Sequence, residues 1–578
     1  MAGARCAPVV LAALLAATLV SAPHAQDIRG APVATTALRP VVAQHGLVVA
    51  QERMAAEIGA GILKRGGNAV DAAVATGFAM AVTYPRAGNL GGGGFMLIHL
   101  AGRNESVAID YRETAPASAT RDMFLGADGK PDPARSRDSA LGIGVPGTVA
   151  GLALALEKYG SGKFTLAELL TPAIALARDG FAVTDDIADT LPRWHQRLAR
   201  WPASARIFSR PDGTALQEGD RLVQSDLATT LQAIAAQGAR GFYEGPVAEK
   251  LVAGIRDAGG IVTLDDLKGY LPLLRQPLRG RYRGHDIVAM PPPSSGGVVL
   301  IESLNILAGF DIAAMQPGAP ETLHLMIEAM KRAYADRARY LGDPAFTDMP
   351  LSRLLDADHA ARQRATIDRE LATPAAAVTP LVPREGDNTT HFSVVDAQGN
   401  AVSNTYTLNF SYGLGLVADG TGVLLNNELD DFTAAPGVAN AYGLVGFAAN
   451  LPAPGKRPLS SMTPTIILKN GRVVLVTGSP GGSRIISAVL QVVVNVLDHG
   501  LDVMAAVARP RVHHQWLPDE ARVERGFPEA TLERLRDMGH HVVTPLGQTS
   551  ANSIAAAPAG GWLGAPDPRT RGATAAGY

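Results

Sequence analysis

The stretch DNTTHFSVVDAQGNAVSNTYTLN, residues 387–409, decides how the rest of the chain is read. Two runs of strand-forming residues, Thr390–Val395 and Ala401–Leu408, flank the turn DAQGN, whose Asp, Gly and Asn are the residues a tight hairpin needs. Upstream, LATPAAAVTPLVPREGDN (371–388) has no apolar period and reads as a mobile connection. Thr389 and Thr390 sit where that connection becomes strand. A cut between Asn388 and Thr389 would place a hydroxyl and a free α-amine on one residue. An α-amine titrates near pH ~8, so part of it is an unprotonated base at neutrality. Such an amine can activate the hydroxyl of its own residue as a nucleophile.

Working outward, the bulk composition narrows the field. The chain has 578 residues, 47% of them hydrophobic, and a formal net charge of −2. It can bury a large core, and with no basic block or stripe it does not look built for nucleic acid. Arg5 followed by the apolar run VVLAALLAATLV (9–20) reads as an export signal ending near Ala25. No later stretch approaches a transmembrane length. Cys6, the only cysteine, lies inside that signal, so the mature protein is expected to have no thiol, disulfide or cysteine metal site.

Toward the N-terminus, residues 46–50 read as a strand and 52–67 as a helix stopped by Gly66-Gly67. Asn68 is placed to cap a helix over 69–84 that is apolar nearly all round and therefore buried. GNLGGGGFMLIHL (88–100) carries four glycines into a strand; without a following Lys-Ser/Thr they indicate close backbone approach, not a phosphate loop. A strand over 106–116 has Arg112 at its polar end. Residues 145–275 read as mostly helical, with Thr263 capping a short helix. Strand, PPPSSGG loop and helix follow over 286–307, then a long amphipathic helix over 321–342. Beyond the hairpin, strands are expected over 422–426, 464–469 and 472–477, and a buried helix over 484–500. Strands in both halves with helices before and after indicate two sheets packed face to face under helices.

Three further motifs carry polar groups suited to chemistry. GVLLNNELDDF (422–432) puts Glu428, Asp430 and Asp431 at a strand end, where carboxylates can hold an ammonium. Ser460 and Ser461 in KRPLSSM offer paired hydroxyl donors to a carboxylate. RVVLVTGSPGGSRII (472–486) is strand, glycine loop and helix; its spacing is not that of a dinucleotide loop, and the N–H groups of Gly481 and Gly482 can instead stabilise an oxyanion. His513-His514 and His540-His541 lack helical i, i+4 spacing and an evident carboxylate partner, so neither a metal site nor any other cofactor is expected. No Gly-x-Ser-x-Gly elbow is present.

These motifs, in this order, resemble the γ-glutamyltransferase (γ-glutamyl transpeptidase) family of the N-terminal nucleophile hydrolases. The resemblance runs from GNAVDAAVATGFAMAVTYPRAGNLGGGGFML (67–97) through DYRETAP, PPPSSGG, the stretch 387–409, NNELDDF, KRPLSSM and TGSPGGSRI to HHQWLPDE (513–520) and the C-terminal DPR and AGY. It implies an α/β fold of four αββα layers, made by two fragments of one precursor: a signal over 1–25, a large subunit over 26–388 and a small subunit over 389–578. It places Thr389 as nucleophile, Thr407 as the hydroxyl that orients it, and Gly481 and Gly482 at the oxyanion hole. Arg112, Ser460 and Ser461 fall at an α-carboxylate site, and Asn409, Glu428 and Asp431 at an α-amino site. Residues 436–450 match a lid loop present in some members, with Tyr442 at its gating tyrosine. The implied substrates are glutathione and other γ-glutamyl compounds, with water or an amino acid or peptide as acceptor, in a periplasmic or secreted enzyme. A related acylase acting on a glutaryl side chain is the nearest alternative, and a non-catalytic binding protein on the same fold is a further one.

Overall fold

The hairpin of Thr390–Val395 and Ala401–Thr407 lies at the centre of the first of two antiparallel sheets. Its turn is closed by Asp396, whose Oδ1 accepts from the amides of Gln398 and Asn400, each at 2.9 Å, with Gly399 in the left-handed region. The other oxygen, Oδ2, accepts from Ala69 N at 2.9 Å, which fastens the hairpin to the start of the helix Ala69–Thr83. The structure, a computed structural model, describes residues 38–378, 389–438, 440, 444–547 and 549–578.

Strand order in the first sheet is Thr574–Gly577, Leu47–Ala50, Thr390–Val395, Ala401–Thr407, Gly93–Leu100, Glu105–Tyr111, Leu273–Arg275. The second runs Val41–Ala43, Trp562–Ala565, Ser553–Ala556, Arg472–Thr477, Thr465–Lys469, His285–Ala289, Leu278–Tyr282. Period-2 alternation sorts the side chains into layers. In Gly93–Leu100, Phe95 and Leu97 pack with Val288, Ile466, Val476 and Ile554 of the second sheet, while Met96 and Ile98 face the helices. On that outer side lies Ala69–Thr83, every residue of which is buried. Ile287, Ile467 and Leu475 turn away from the first sheet toward Gly296–Leu307, Pro320–Tyr340 and Arg484–Leu497. The result is the expected αββα stack. No helix among the described residues is long and apolar enough to cross a membrane.

Local signals produced the expected ends. Asn68 Oδ1 accepts from Val70 N and Asp71 N, and Asp71 returns the bond to Asn68 N. Thr263 closes the same kind of capping box with Asp266. Two expectations are corrected. The strand expected over 422–426 is only Val423–Leu424, because Asn427 leads into a tight turn over Glu428–Asp431. The connection expected to be mobile over 371–388 is held as far as Val378: it forms the short helix Ala375–Val378, and Ala375 N donates to Asp519 Oδ2 at 2.7 Å while Trp516 Nε1 donates to Ala375 O. The rest of it, with Asn388, lies outside the described residues, as do the signal over 1–25 and Tyr442.

Candidate active site

Thr389 is the residue immediately before its strand and is buried. The register Thr390↔Tyr406 sets it opposite Thr407, and the two hydroxyls lie 3.4 Å apart. Thr407 Oγ1 also accepts from Asn409 N at 2.8 Å, which holds the hydroxyl in place. Asn409 itself sits in the left-handed region, which asparagine tolerates better than most residues. The four glycines support this pair through the backbone. A Cβ on Gly92 would meet Thr407 O at 2.0 Å, and one on Gly94 would meet Thr405 O at 2.5 Å. Asn89 locks the loop, accepting from Gly92 N and Thr148 Oγ1 and donating to Thr407 O at 2.9 Å.

The turn Glu428–Asp431 brings its acids to Arg112, which is wholly buried at the end of Glu105–Tyr111. The guanidinium donates from Nη1 to Glu428 Oε1, from Nη2 to Asp431 Oδ2 and from Nε to Pro458 O. Glu113 lies beside it as a third acid, its Oε2 3.7 Å from Nη1. Burial pushes all three carboxyls up while Arg112 pulls them down; Glu113 settles at about 7 and Glu428 well above its ordinary value. Three acids share one buried guanidinium, and their upward shifts mark a site short of positive partners, an environment that an added cation would relieve.

Near Pro458, the PPPSSGG loop clasps Ser460. Ser460 N donates to Pro293 O, and Ser295 donates to Ser460 O from both its amide and its hydroxyl. Arg337, from the helix Pro320–Tyr340, donates from Nε to Ser295 Oγ at 2.8 Å and from Nη2 to Ser461 Oγ at 3.3 Å. Burial lowers its pKa to about 10, so it remains a cation at neutral pH. Arg337 and Asp431 share one cavity with Thr433, Asn440, Leu444 and Leu459.

The glycine loop after Arg472–Thr477 rises past the strand Thr390–Val395, close enough that a Cβ on Gly478 would strike the His391 ring at 2.4 Å. Gly481 and Gly482 both have positive φ, 129° and 56°. Among the described residues neither of their N–H groups donates a hydrogen bond, so both stay available to an anion.

The family model described as Gamma-glutamyltranspeptidase matches residues 55–577, nearly the whole chain. The chain belongs to the gamma-glutamyltranspeptidase family. It is 48% identical over 575 residues to the glutathione hydrolase proenzyme of Escherichia coli (strain K12), covering 99% of this chain and 98% of that protein. Among solved structures it is similar to the cephalosporin acylase from Bacillus halodurans, with TM-score 0.83 and 28% identity over 96% of this chain and 99% of that one. The Helicobacter pylori gamma-glutamyltranspeptidase overlaps with TM-score 0.55 and 45% identity over 57% of this chain and 93% of that one.

The residues singled out in the sequence fall into three groups in the folded chain. Thr389, Thr407 and Asn409 form one connected group, and Asn409 Nδ2 reaches Asn427 O next to Glu428. Arg112, Glu428 and Asp431 form another, and Ser460 and Ser461 a third, tied by Arg337. Asp430 turns away to Ser136 and Arg137. Leu444 and Val445 of the expected lid pack against the helix Pro320–Tyr340, and Asn440 Nδ2 approaches Asp431 Oδ1 at 3.3 Å. Sequence reasoning missed Glu113 and Arg337. Arg337 was findable, because it continues the buried stripe Leu323, Ile327, Met330, Tyr334 at helical spacing. The histidines differ from expectation too: His514 Nε2 lies 3.1 Å from Asp519 Oδ1, and His540 bonds His324.

Proposed function

We propose that this chain is an exported, self-cleaving γ-glutamyltransferase that attacks the γ-glutamyl amide of glutathione and related compounds. The observation that carries this reading is the three acids Glu113, Glu428 and Asp431 around the single guanidinium of Arg112, with Arg337 lining a cavity together with Asp431 and donating to Ser461. A γ-glutamyl group presents one ammonium and one carboxylate, and this wall offers partners of both signs. Asn409, Glu428 and Asp431 take the ammonium; Arg112, Ser460 and Ser461 take the carboxylate.

In the precursor the Thr389 hydroxyl attacks the Asn388 carbonyl, breaking the amide C–N bond to free the Thr389 amine and forming an ester, and water hydrolyses that ester to give subunits 26–388 and 389–578, which stay together as a heterodimer. The new α-amine then accepts the Thr389 hydroxyl proton as Oγ1 attacks the γ-carbonyl. Thr407 aims Oγ1, and the N–H groups of Gly481 and Gly482 stabilise the oxyanion. Collapse of the tetrahedral intermediate breaks the C–N bond, and the amine hands its proton to the departing cysteinylglycine. Water attacks the threonyl ester to release glutamate; an amino acid or peptide amine attacks it to give a new γ-glutamyl amide. Leu444, Val445, Gly446 and Asn450, the described end of the expected lid, line the cavity beside Asp431 and would limit the access of water.

A glutaryl acylase is the alternative, supported by the overlap with the Bacillus halodurans enzyme. A glutaryl group lacks the ammonium, which would leave Glu428 and Asp431 without a ligand to bind. The test is incubation of purified protein with glutathione. Release of glutamate and cysteinylglycine by the wild type, and by no Thr389→Ala preparation, is the expected result. Turnover of a glutaryl amide with none of glutathione would replace this reading with the acylase one.

A further inference from the structure

Away from the nucleophile, three helices that cover the second sheet bring together a second set of ionisable side chains. Glu302 comes from Gly296–Leu307, Asp336 from Pro320–Tyr340 and His359 from Ala357–Ala365. Glu302 is completely buried, and neither of its carboxylate oxygens has a hydrogen-bond partner. Its Oε1 points at His359 Nε2 from 3.4 Å, and Asp336 Oδ2 approaches the same nitrogen at 2.9 Å. One N–H cannot serve two carboxylates, so the cluster is short of positive charge. Among the described residues no Lys or Arg makes an ion pair with Glu302 or Asp336; the neutral Gln363 amide is the other donor to Asp336, at 3.2 Å.

We propose that Glu302, Asp336 and His359 bind one divalent transition-metal ion, with Zn2+ the best match. A burial this deep disfavours a bare carboxylate strongly unless a cation or proton compensates it. The ligand atoms all lie within 4.8 Å of one another. Tetrahedral bonds of about 2.0–2.1 Å put ligand atoms roughly 3.3 Å apart, close to the His359 separations. One imidazole nitrogen and two carboxylates suit Zn2+ better than Mg2+ or Ca2+, which prefer all-oxygen sets. His359 and Asp336 are each about one-seventh exposed, at 14% and 15%, which leaves a path for the ion and a place for a water ligand. The ion would pin the three helices together on the side of Pro320–Tyr340 that does not carry Arg337 to the active site.

A second histidine cluster provides the contrast. His324, Glu328 and His540 are equally close, but Lys331 and Arg332 already pair with Glu328, and His324 bonds His540 at 2.8 Å. That group has its positive charge supplied and repels a cation.

The experiment takes the processed full-length protein, stripped with EDTA and dialysed, and measures Zn2+ by equilibrium dialysis with elemental analysis. The expected result is about one Zn2+ per heterodimer, kept by His540→Ala and reduced below about one-tenth in Glu302→Gln and His359→Ala. Glutathione hydrolysis should be unchanged in both, since neither residue touches the nucleophile or the acid cluster. Less than about one-tenth of an ion per wild-type protein overturns the proposal. A zinc-edge anomalous map of wild-type crystals makes the assignment independent of whether the variants fold: a peak among these three side chains supports it, and a peak elsewhere alone refutes it.

Discussion

Asp431→Asn removes one charge from the acid cluster while keeping the shape of the side chain. In the structure Asp431 Oδ2 meets Arg112 Nη2 and Oδ1 faces Asn440 Nδ2, and a carboxamide oxygen can still accept from one of them. Glu428 continues to pair with Arg112, so the guanidinium is not stranded. What is lost is the anionic partner of a substrate ammonium. A hydrogen bond to a charged group contributes ~1.5–3 kcal/mol, and ~1.4 kcal/mol is tenfold, so kcat/KM should fall roughly 10- to 150-fold. The assay compares two chromogenic anilides, one γ-glutamyl and one glutaryl, which differ only in the α-ammonium. The full loss is expected on the first and less than about a threefold change on the second. Equal losses on both would show that Asp431 acts through the fold or through Arg112, and would refute the ammonium assignment.

Three other perturbations have defined outcomes. Thr407→Val keeps the volume but removes the hydroxyl 3.4 Å from Thr389 that also accepts from Asn409 N; two-chain formation followed on denaturing gels should slow by on the order of 100-fold. Gly92→Ala would set a Cβ 2.0 Å from Thr407 O, a backbone atom that cannot step aside, and should lower stability by ~1–3 kcal/mol in calorimetry. Burial acts to raise the Glu328 carboxyl, but Lys331, Arg332 and Thr373 together hold it at about 2. Its folded pKa is thus below its unfolded one, so its stabilisation is full above pH ~4.5 and is lost as pH falls toward about 2. Glu328→Gln should cost ~3–5 kcal/mol at neutral pH and flatten acid unfolding across that window.

Much of this architecture was legible because its determinants are local. The 387–409 hairpin carries its own turn chemistry, and Asn68 and Thr263 announce their helices by capping. Ser553–Ala556, Trp562–Ala565 and Thr574–Gly577 escaped notice because their alanines and glycines give no strand signal; pairing with neighbours alone makes them strands. The site shows the same division. Thr389, Gly481 and Gly482 stand in recognisable motifs, but the union of Arg112 with Glu428 and Asp431 spans more than 300 residues of sequence. The sequence reading placed them at separate carboxylate and amino sites. In the folded chain they are one ion cluster, joined by Glu113, which stands next to Arg112 in DYRETAP, and faced by Arg337, which belongs to no motif read as functional.

The central claim is that Thr389 becomes the N-terminal residue of a catalytic subunit. Intact mass spectrometry of the purified protein, with N-terminal sequencing of each chain, tests it most directly. Two chains are predicted, the smaller beginning at Thr389 and ending at Tyr578. A single uncut chain that hydrolyses glutathione, or a small subunit that begins at any other residue, would contradict it.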